Sequence, residues 1–373
     1  MILSLLALLW PQARETRPDL PRFTDVFVSG QEGYHTFRIP SVLVTAKGTV
    51  LAFAEGRRGG RGDSGDIDLV LHRSADGGGT WGPLQVVWDD GDNTCGNPCP
   101  VVDRTTGTIW LLLTHNLGTD TERDIIAGRS RGTRTVWICR SDDEGATWTR
   151  PAEITSSVKD PGWSWFATGP GVGIQTREGR LVVPCDAVSR GGGKAHSFVI
   201  FSDDHGSSWK AGGTASDVHN ECQVVERADG ALLLNMRNHG SAKRLRGTAV
   251  SRDGGATWSE VRYDPALVEP VCQASLLRHT RKPPHAKNRL LFSNPADEKT
   301  RRRMTVRLSY DEGETWPVAR LLHEGPSAYS CLAVFPDLSL GCLYEAGEKH
   351  PYEKIVLARF TLGWLTDGAD PTP

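Results

Sequence analysis

Ser74 to Trp81 (SADGGGTW), Ser141 to Trp148 (SDDEGATW), Ser202 to Trp209 (SDDHGSSW), Ser251 to Trp258 (SRDGGATW) and Ser309 to Trp316 (SYDEGETW) share one pattern, Ser-x-Asp-x-Gly-x-Thr/Ser-Trp. Each is a turn by its chemistry. The Asp side chain bonds backbone a residue or two on, Gly supplies positive φ, and Trp anchors the returning strand in a core. Copies recurring at intervals of roughly 60 residues mark a repeat architecture, in which one supersecondary unit is used several times.

Outward from these turns lies a second repeat, a hairpin of two short apolar strands. It occurs at Phe37 to Glu55, Pro98 to Thr114, Gly171 to Asp186, Glu221 to Arg237, Cys272 to Asn294 and Tyr329 to Glu345. Gly48, Gly107, Gly179 and Gly230 stand at the turns of the first four. The returning strands (TVLAFAE, TIWLLLT, RLVVPCD, ALLLNMR, RLLFSNP, LGCLYEA) are short, apolar and bounded by polar residues, as buried strands are. Each unit therefore reads strand, turn, strand, loop, strand, Asp turn, strand. Six such units predict an all-β chain, a six-bladed β-propeller of four-stranded antiparallel blades, with residues 22–373 as a single domain. The sixth unit has no Asp turn after Lys354 to Thr361, so Phe23 to Ser29 is expected to supply its outer strand and close the ring.

Composition agrees with a globular enzyme or binding domain. Of 373 residues, 38% are hydrophobic and 24% charged, and 41 Gly with 22 Pro suit a turn-rich β fold without low complexity. A net charge of −2, from 43 Lys+Arg against 45 Asp+Glu, argues against general attraction to nucleic acid or anionic membrane. The one Arg-Gly run, Arg57 to Gly62 (RRGGRG), is a single copy without companion aromatics and does not make an RNA-binding box. Ile2 to Trp10 is the only long apolar run, too short for a membrane span; residues 1–13 read as a signal peptide and 14–21 as a polar leader, which predicts a secreted or periplasmic protein. The eight cysteines are scattered rather than framed as a small disulfide scaffold, although Cys95 and Cys99 are spaced for a local pairing. Cys95, Cys99 and His115 lack the second close ligand pair of a zinc site.

Topology then sorts the polar residues. In an antiparallel hairpin the start of the first strand lies beside the end of the second. Arg38, Glu221 and Tyr329, at first-strand starts, are thus expected beside Arg237 and Glu345, at second-strand ends, around one mouth of the ring. Loops following second strands bring Arg57, Asp63 and Arg301 to the same face, and the Asp turns fall on the opposite one. Arginines gathered without equal neutralisation point to a bound anion, and planar guanidinium groups suit a carboxylate.

These residues carry a family resemblance. The Phe37-Arg38-Ile39-Pro40 motif (FRIP), the five Asp turns, Asp63 in RGDSGDIDLVL, Glu221 in NECQVVE, Arg237 in NMRN, the Arg301 segment and Tyr329 in GPSAYSCL make the chain similar to the bacterial and animal exo-α-sialidases, from about Phe23 to Leu365. The resemblance implies a retaining exo-α-sialidase that releases terminal sialic acid from sialylated glycans. It makes Arg38, Arg237 and Arg301 the clamp for the substrate carboxylate, with Glu345 orienting Arg38 and Arg57 bordering the site. It makes Asp63 the acid/base, Tyr329 the nucleophile and Glu221 its base. Arg303 is the alternative to Arg301, because Arg301 to Arg303 are consecutive. No cofactor, metal, nucleic acid or membrane span is called for, and a monomer is expected. The chemistry accounts for the residue types: the carboxylate on the sugar's anomeric carbon repels an Asp or Glu nucleophile but not a neutral Tyr, and a phenol needs a base beside it. Two other readings stay open, a non-catalytic propeller that binds sialylated glycans and a hydrolase for a keto-sugar acid lacking the N-acetyl group. Trp163, Trp165 and the Asn93 to Pro100 segment are candidates to line the pocket that would tell these sugars apart.

Overall fold

A computed structural model describes residues 20–240 and 242–370; the signal-peptide segment and most of the polar leader lie outside the described residues. The described chain is all-β. Strand β1 (Arg22–Val28) is followed by six antiparallel units, five of four main strands and a sixth of three that β1 completes. Unit I is β2 (Thr36–Val44), β3 (Val50–Arg57), β4 (Ile67–Ser74) and β5 (Gln85–Trp88). Unit II is β6 (Thr94–Val102), β7 (Ile109–Asn116), β8 (Thr135–Ser141) and β9 (Ala152–Glu153). Unit III is β10 (Trp163–Thr168), with the short β11 (Ile174–Gln175) alongside, then β12 (Leu181–Ser189), β13 (Ala195–Ser202) and β14 (Lys210–Ala211). Unit IV is β15 (Cys222–Glu226), β16 (Leu232–Met236), β17 (Leu245–Ser251) and β18 (Arg262–Val268). Unit V is β19 (Ser275–Thr280), β20 (Arg289–Pro295), β21 (Arg302–Ser309) and the first half of the long β22 (Val318–Val334). Unit VI uses the second half of β22, then β23 (Leu340–Ala346) and β24 (Lys354–Phe360), and its fourth strand is β1, paired antiparallel to β24 from Arg22↔Arg359 to Val28↔Lys354. Three short helices, α1 (Glu122–Ile126), α2 (Thr155–Val158) and α3 (Leu362–Leu365), sit in connections; among the described residues no helix is long and apolar enough to cross a membrane.

The units close on themselves. First strand touches first strand from β2 to β6, β6 to β10, β15 to β19, β19 to β22 and β22 back to β2, while β11 and β12 bridge to β15. Six apolar clusters fill the spaces between neighbours: Val50 with Leu343, Phe53 with Leu111, Leu112 with Phe166, Val182 with Leu234, Leu233 with Phe292 and Met304 with Tyr344 each share a cluster. The second strands are thus buried on both faces, which explains why they read as continuous apolar runs rather than alternating ones.

The Asp turns are all built alike. In unit III, Ser202 Oγ donates to Asp204 Oδ1 (2.8 Å) and accepts from Gly206 N–H (2.8 Å), and the Ser208 N–H and hydroxyl both donate to Asp204. The turns around Asp76, Asp143, Asp253 and Asp311 repeat these bonds. Each turn also grips the preceding unit. The carbonyls of Gly77, Glu144, His205 and Gly254 accept from Arg359, Arg73, Trp110 Nε1 and Arg180, respectively, and Glu312 accepts from the Ala228 N–H of unit IV at 2.8 Å. Gly206 shows why glycine stands at the fifth position: its φ is +88°, and a Cβ there would lie 2.2 Å from the Trp110 ring of unit II. Gly206→Ala and Trp209→Ala are therefore expected to destabilise the protein, the latter by about 3–5 kcal/mol because a buried indole leaves a cavity. Urea denaturation measures the loss. Activity per folded molecule should barely change, since these turns lie at the strand ends away from the residues described next.

Cys95 and Cys99 do not pair; all eight cysteines are buried free thiols. The reason lies in β6, whose register with β7 slips between Gly96 and Cys99. The bulge turns Cys95 into the cluster shared with unit I and Cys99 into the one shared with unit III.

Candidate active site

Bulges build the site. In β2 the register slips between Arg38 and Ser41, where Ile39 has φ 59° and Pro40 has no N–H for the ladder. The Ile39 N–H that the ladder loses donates instead to Glu345 Oε1 at 3.0 Å. A second bulge, between Ser327 and Ser330 of β22, frees the Tyr329 N–H, which donates to Glu345 Oε2 at 3.0 Å. Glu345 also takes Arg38 Nε at 3.1 Å and Nη2 at 3.3 Å, and its side chain is 0% exposed. One buried carboxylate thus ties the Arg38 guanidinium to the backbone of Tyr329.

Tyr329 is buried at the mouth, with its hydroxyl donating a short hydrogen bond to Glu221 Oε1. Arg237 Nη1 donates to Glu221 Oε2 at 2.5 Å and to the Tyr329 oxygen at 3.1 Å. The Arg38 and Arg301 guanidinium carbons lie 5.0 Å and 5.6 Å from the Tyr329 ring centre. Arg301 is held by Tyr352, to whose hydroxyl it donates at 2.9 Å, and by the Val271 carbonyl at 3.1 Å. Arg303 turns outward to Glu324 at 2.9 Å, so it is Arg301 that faces the mouth. Burial and then Glu221 push the Tyr329 phenol well above its ordinary value, against Arg237, Arg301 and Arg38. Burial would raise the Glu221 carboxyl as well, but Arg237 and the Tyr329 hydroxyl outweigh it and hold Glu221 below its usual range. The resting pair is a neutral phenol beside an ionised carboxylate.

Asp63 hangs over the mouth with 60% of its side chain exposed, in contact with Arg57 Nη1 at 2.8 Å and Arg38 Nη1 at 3.4 Å. Its partial burial favours the neutral acid, yet the two arginines prevail and hold it below the ordinary carboxylate range. Arg57 is 2% exposed. Its Nε and Nη2 donate to Glu55 Oε2 (3.0 and 2.6 Å) and its Nη1 donates to the carbonyls of Arg61 (2.6 Å) and Gly62 (2.9 Å). Arg57 therefore borders the site by fastening the loop that presents Asp63.

Residues 48–343 match the BNR repeat-like domain. The chain is 36% identical to a sialidase of Micromonospora viridifaciens over 91% of its own length, spanning about half (54%) of that relative. It is 34% identical to an exo-alpha-sialidase of Aspergillus fumigatus, over 90% of this chain and 86% of the relative. The chain belongs to the sialidase family. Among solved structures a Hadza microbial sialidase superposes on this family member with a TM-score of 0.83 at 33% identity, covering 92% of this chain and 69% of that one.

Two residues at the sialidase site, Arg134 and Tyr352, are not singled out by the sequence, whereas Trp165 and Asn97 fall among the expected lining. Arg134 is buried, and it binds Thr114 Oγ1 (3.0 Å), Asn116 Oδ1 (2.8 Å) and Asn97 Oδ1 (2.5 Å) with its guanidinium 4.2 Å from the Trp165 ring centre. Asn97 is a third bulge residue, φ 53°, whose N–H donates to Glu55 at 2.9 Å as that of Ile39 does to Glu345. Trp165 thus lies under Arg134, whereas Trp163 stacks on His196 at 5.1 Å and packs on Phe198. Tyr352 lies 4.2 Å beneath the Arg38 guanidinium while holding Arg301. A signal was available for two partners of this set, Glu55 and Thr114. In the first five units one second-strand residue pairs with the Asp-turn serine (Val50, Ile109, Leu181, Leu232, Leu290). Five places on stand Glu55, Thr114, Asp186, Arg237 and Pro295, and the same count from Leu340 in unit VI gives Glu345.

Proposed function

We propose that the protein is a retaining exo-α-sialidase on a six-bladed β-propeller, the six four-stranded units being its blades and the closed cycle of first strands its channel wall. The observation that carries this reading is the Tyr329 hydroxyl bonded to Glu221 with Arg237 on both, under Arg38 and Arg301. Arg38, Arg237 and Arg301 clamp the carboxylate of a terminal sialic acid, which places the anomeric carbon over Tyr329. The Tyr329 oxygen attacks that carbon as its proton passes to Glu221, and Asp63 protonates the departing glycosidic oxygen. Water then enters, gives a proton to Asp63 and displaces Tyr329, which recovers its proton from Glu221. Two displacements leave the configuration unchanged.

The charges fit this order of events. Asp63 is ionised in the free protein because Arg57 and Arg38 face it. A substrate carboxylate on Arg38 cancels part of that field, so the proton affinity of Asp63 rises when substrate binds, at the step that needs an acid. The rate constant kcat/KM, which reports the free enzyme, should fall as pH rises through the acidic range, because the protonated fraction of Asp63 then vanishes.

The test is release of free sialic acid from aryl and oligosaccharide sialosides, beside the methyl ester of the same aryl sialoside. Masking the carboxylate should cost about 2–5 kcal/mol of transition-state stabilisation, since three arginines then lose their partner. Efficient turnover of the ester would contradict the clamp. Binding without any turnover would instead favour a glycan-binding propeller.

A further inference from the structure

Of the five polar members among the equivalent residues at the ends of the second strands, one has a side chain without a partner. Glu55 holds Arg57 and the Asn97 N–H, Thr114 holds Arg134, Arg237 holds Glu221 and Tyr329, and Glu345 holds Arg38. Asp186 is 2% exposed, and its carboxyl group makes no hydrogen bond to any described residue. It lies on the same face of β12 as Val182, which packs with Cys222 and Met236 of unit IV. The backbone beside it touches the site: Cys222 Sγ contacts the Cys185 carbonyl at 3.3 Å, and Ser197, the register partner of Asp186, donates to the Asn220 carbonyl at 2.6 Å. Asp186 is therefore next to Glu221, at the wall of the mouth. An unpartnered carboxyl at such a depth is costly, and a ligand group that bonds it removes the cost.

The ligand chemistry follows from position, resting on the reading of the protein as a sialidase. Tyr329 belongs to unit VI and Asp186 to unit III, three units away around the ring. A sugar with its anomeric carbon over Tyr329 and its carboxylate among the arginines extends its opposite end toward unit III. That end of a sialic acid carries the C5 substituent, flanked by neutral hydroxyl groups on C4 and on the exocyclic chain. We propose that Asp186 is a specificity residue that exchanges hydrogen bonds with one of these hydroxyls. Burial, then Glu221 and Glu122, push its carboxyl well above the usual range, while Arg237 and Arg134 oppose them. A neutral acid both donates to and accepts from a hydroxyl, which an ionised one beside Glu221 would not do.

The test compares the unsubstituted protein, Asp186→Ala and Asp186→Asn on three aryl sialosides: intact, with the exocyclic chain shortened by periodate, and 4-deoxy. Asp186→Ala should lose about tenfold in kcat/KM on the intact substrate and match the unsubstituted protein on one of the two trimmed ones, which identifies the hydroxyl. Asp186→Asn should keep most of the activity, because an amide also donates and accepts. Thermal stability of Asp186→Ala should hold or rise, since an unpaired buried carboxyl is removed. If Asp186→Ala discriminates between intact and both trimmed substrates as the unsubstituted protein does, the role is refuted. If the unsubstituted protein releases sugar from none of the three, the sialidase reading falls and this role falls with it.

Discussion

Tyr329→Phe is expected to lower kcat by about 10³-fold or more while binding of a sialic-acid analogue persists. The substitution removes one oxygen from a ring held by the Arg38 and Arg301 guanidinium groups, so the clamp stays in place. The size of the loss follows from the state of the phenol. Burial and Glu221 keep it neutral in the free protein. A substrate carboxylate on the three arginines weakens the only field that favours phenolate, so the nucleophile cannot be ionised beforehand and must lose its proton to Glu221 during attack. Glu221→Gln should then cost about 10²–10⁴-fold in forming the covalent intermediate, the usual range for a general base, although the amide still fills the space and meets the hydroxyl. Proton NMR of the first product formed by the unsubstituted protein should show the α-anomer before mutarotation. Direct appearance of the β-anomer, or normal turnover by Tyr329→Phe, would exclude Tyr329 as nucleophile.

The strands and Asp turns are legible in the sequence because their determinants are local. Ser202, Asp204, Gly206 and Ser208 satisfy one another within a few residues, and apolar runs such as Leu181 to Pro184 need only two buried faces to be strands. The closing role of Phe23 to Ser29 is legible by counting, and β1 pairs with β24 over residues 22–28. Grip between units is not legible, since the bond from Trp110 to the His205 carbonyl joins residues with no common motif. The same division runs through the site. Topology and the family resemblance bring out Arg38, Glu221, Arg237, Arg301, Tyr329 and Glu345, and the structure gathers them. Nothing in the sequence near Arg134 says that it will be buried against Trp165 and Asn97, because the first contact arises only once unit II closes on unit III and the second depends on the bulge in β6. The slip at Cys95 and Cys99 has a related cause: even spacing along a strand implies one face, and a bulge, set by ladder geometry rather than composition, reverses it.

Glu345 should prove the most sensitive position for stability and activity together. Glu345→Ala strands the Arg38 guanidinium, 7% exposed, without its buried counter-charge and with only the exposed Asp63 at 3.4 Å, and leaves the Ile39 and Tyr329 N–H groups of two bulges unpaired. Breaking one side of a buried ion pair costs about 3–5 kcal/mol, and each orphaned donor adds to that. Activity should fall further than stability explains, because the same carboxylate fixes the clamp and the backbone of the nucleophile. A double substitution separates the two effects. Arg38→Met with Glu345→Leu removes both charges and fills the volume, so urea denaturation should recover part of the stability lost by Glu345→Ala. The two N–H groups remain unpaired, so recovery should be incomplete. Turnover should stay lost, since no guanidinium meets the substrate carboxylate from unit I. A Glu345→Ala protein that unfolds at the same urea concentration as the unsubstituted one would mean that water or another side chain replaces all four bonds, and that the bulges of β2 and β22 hold their shape without it.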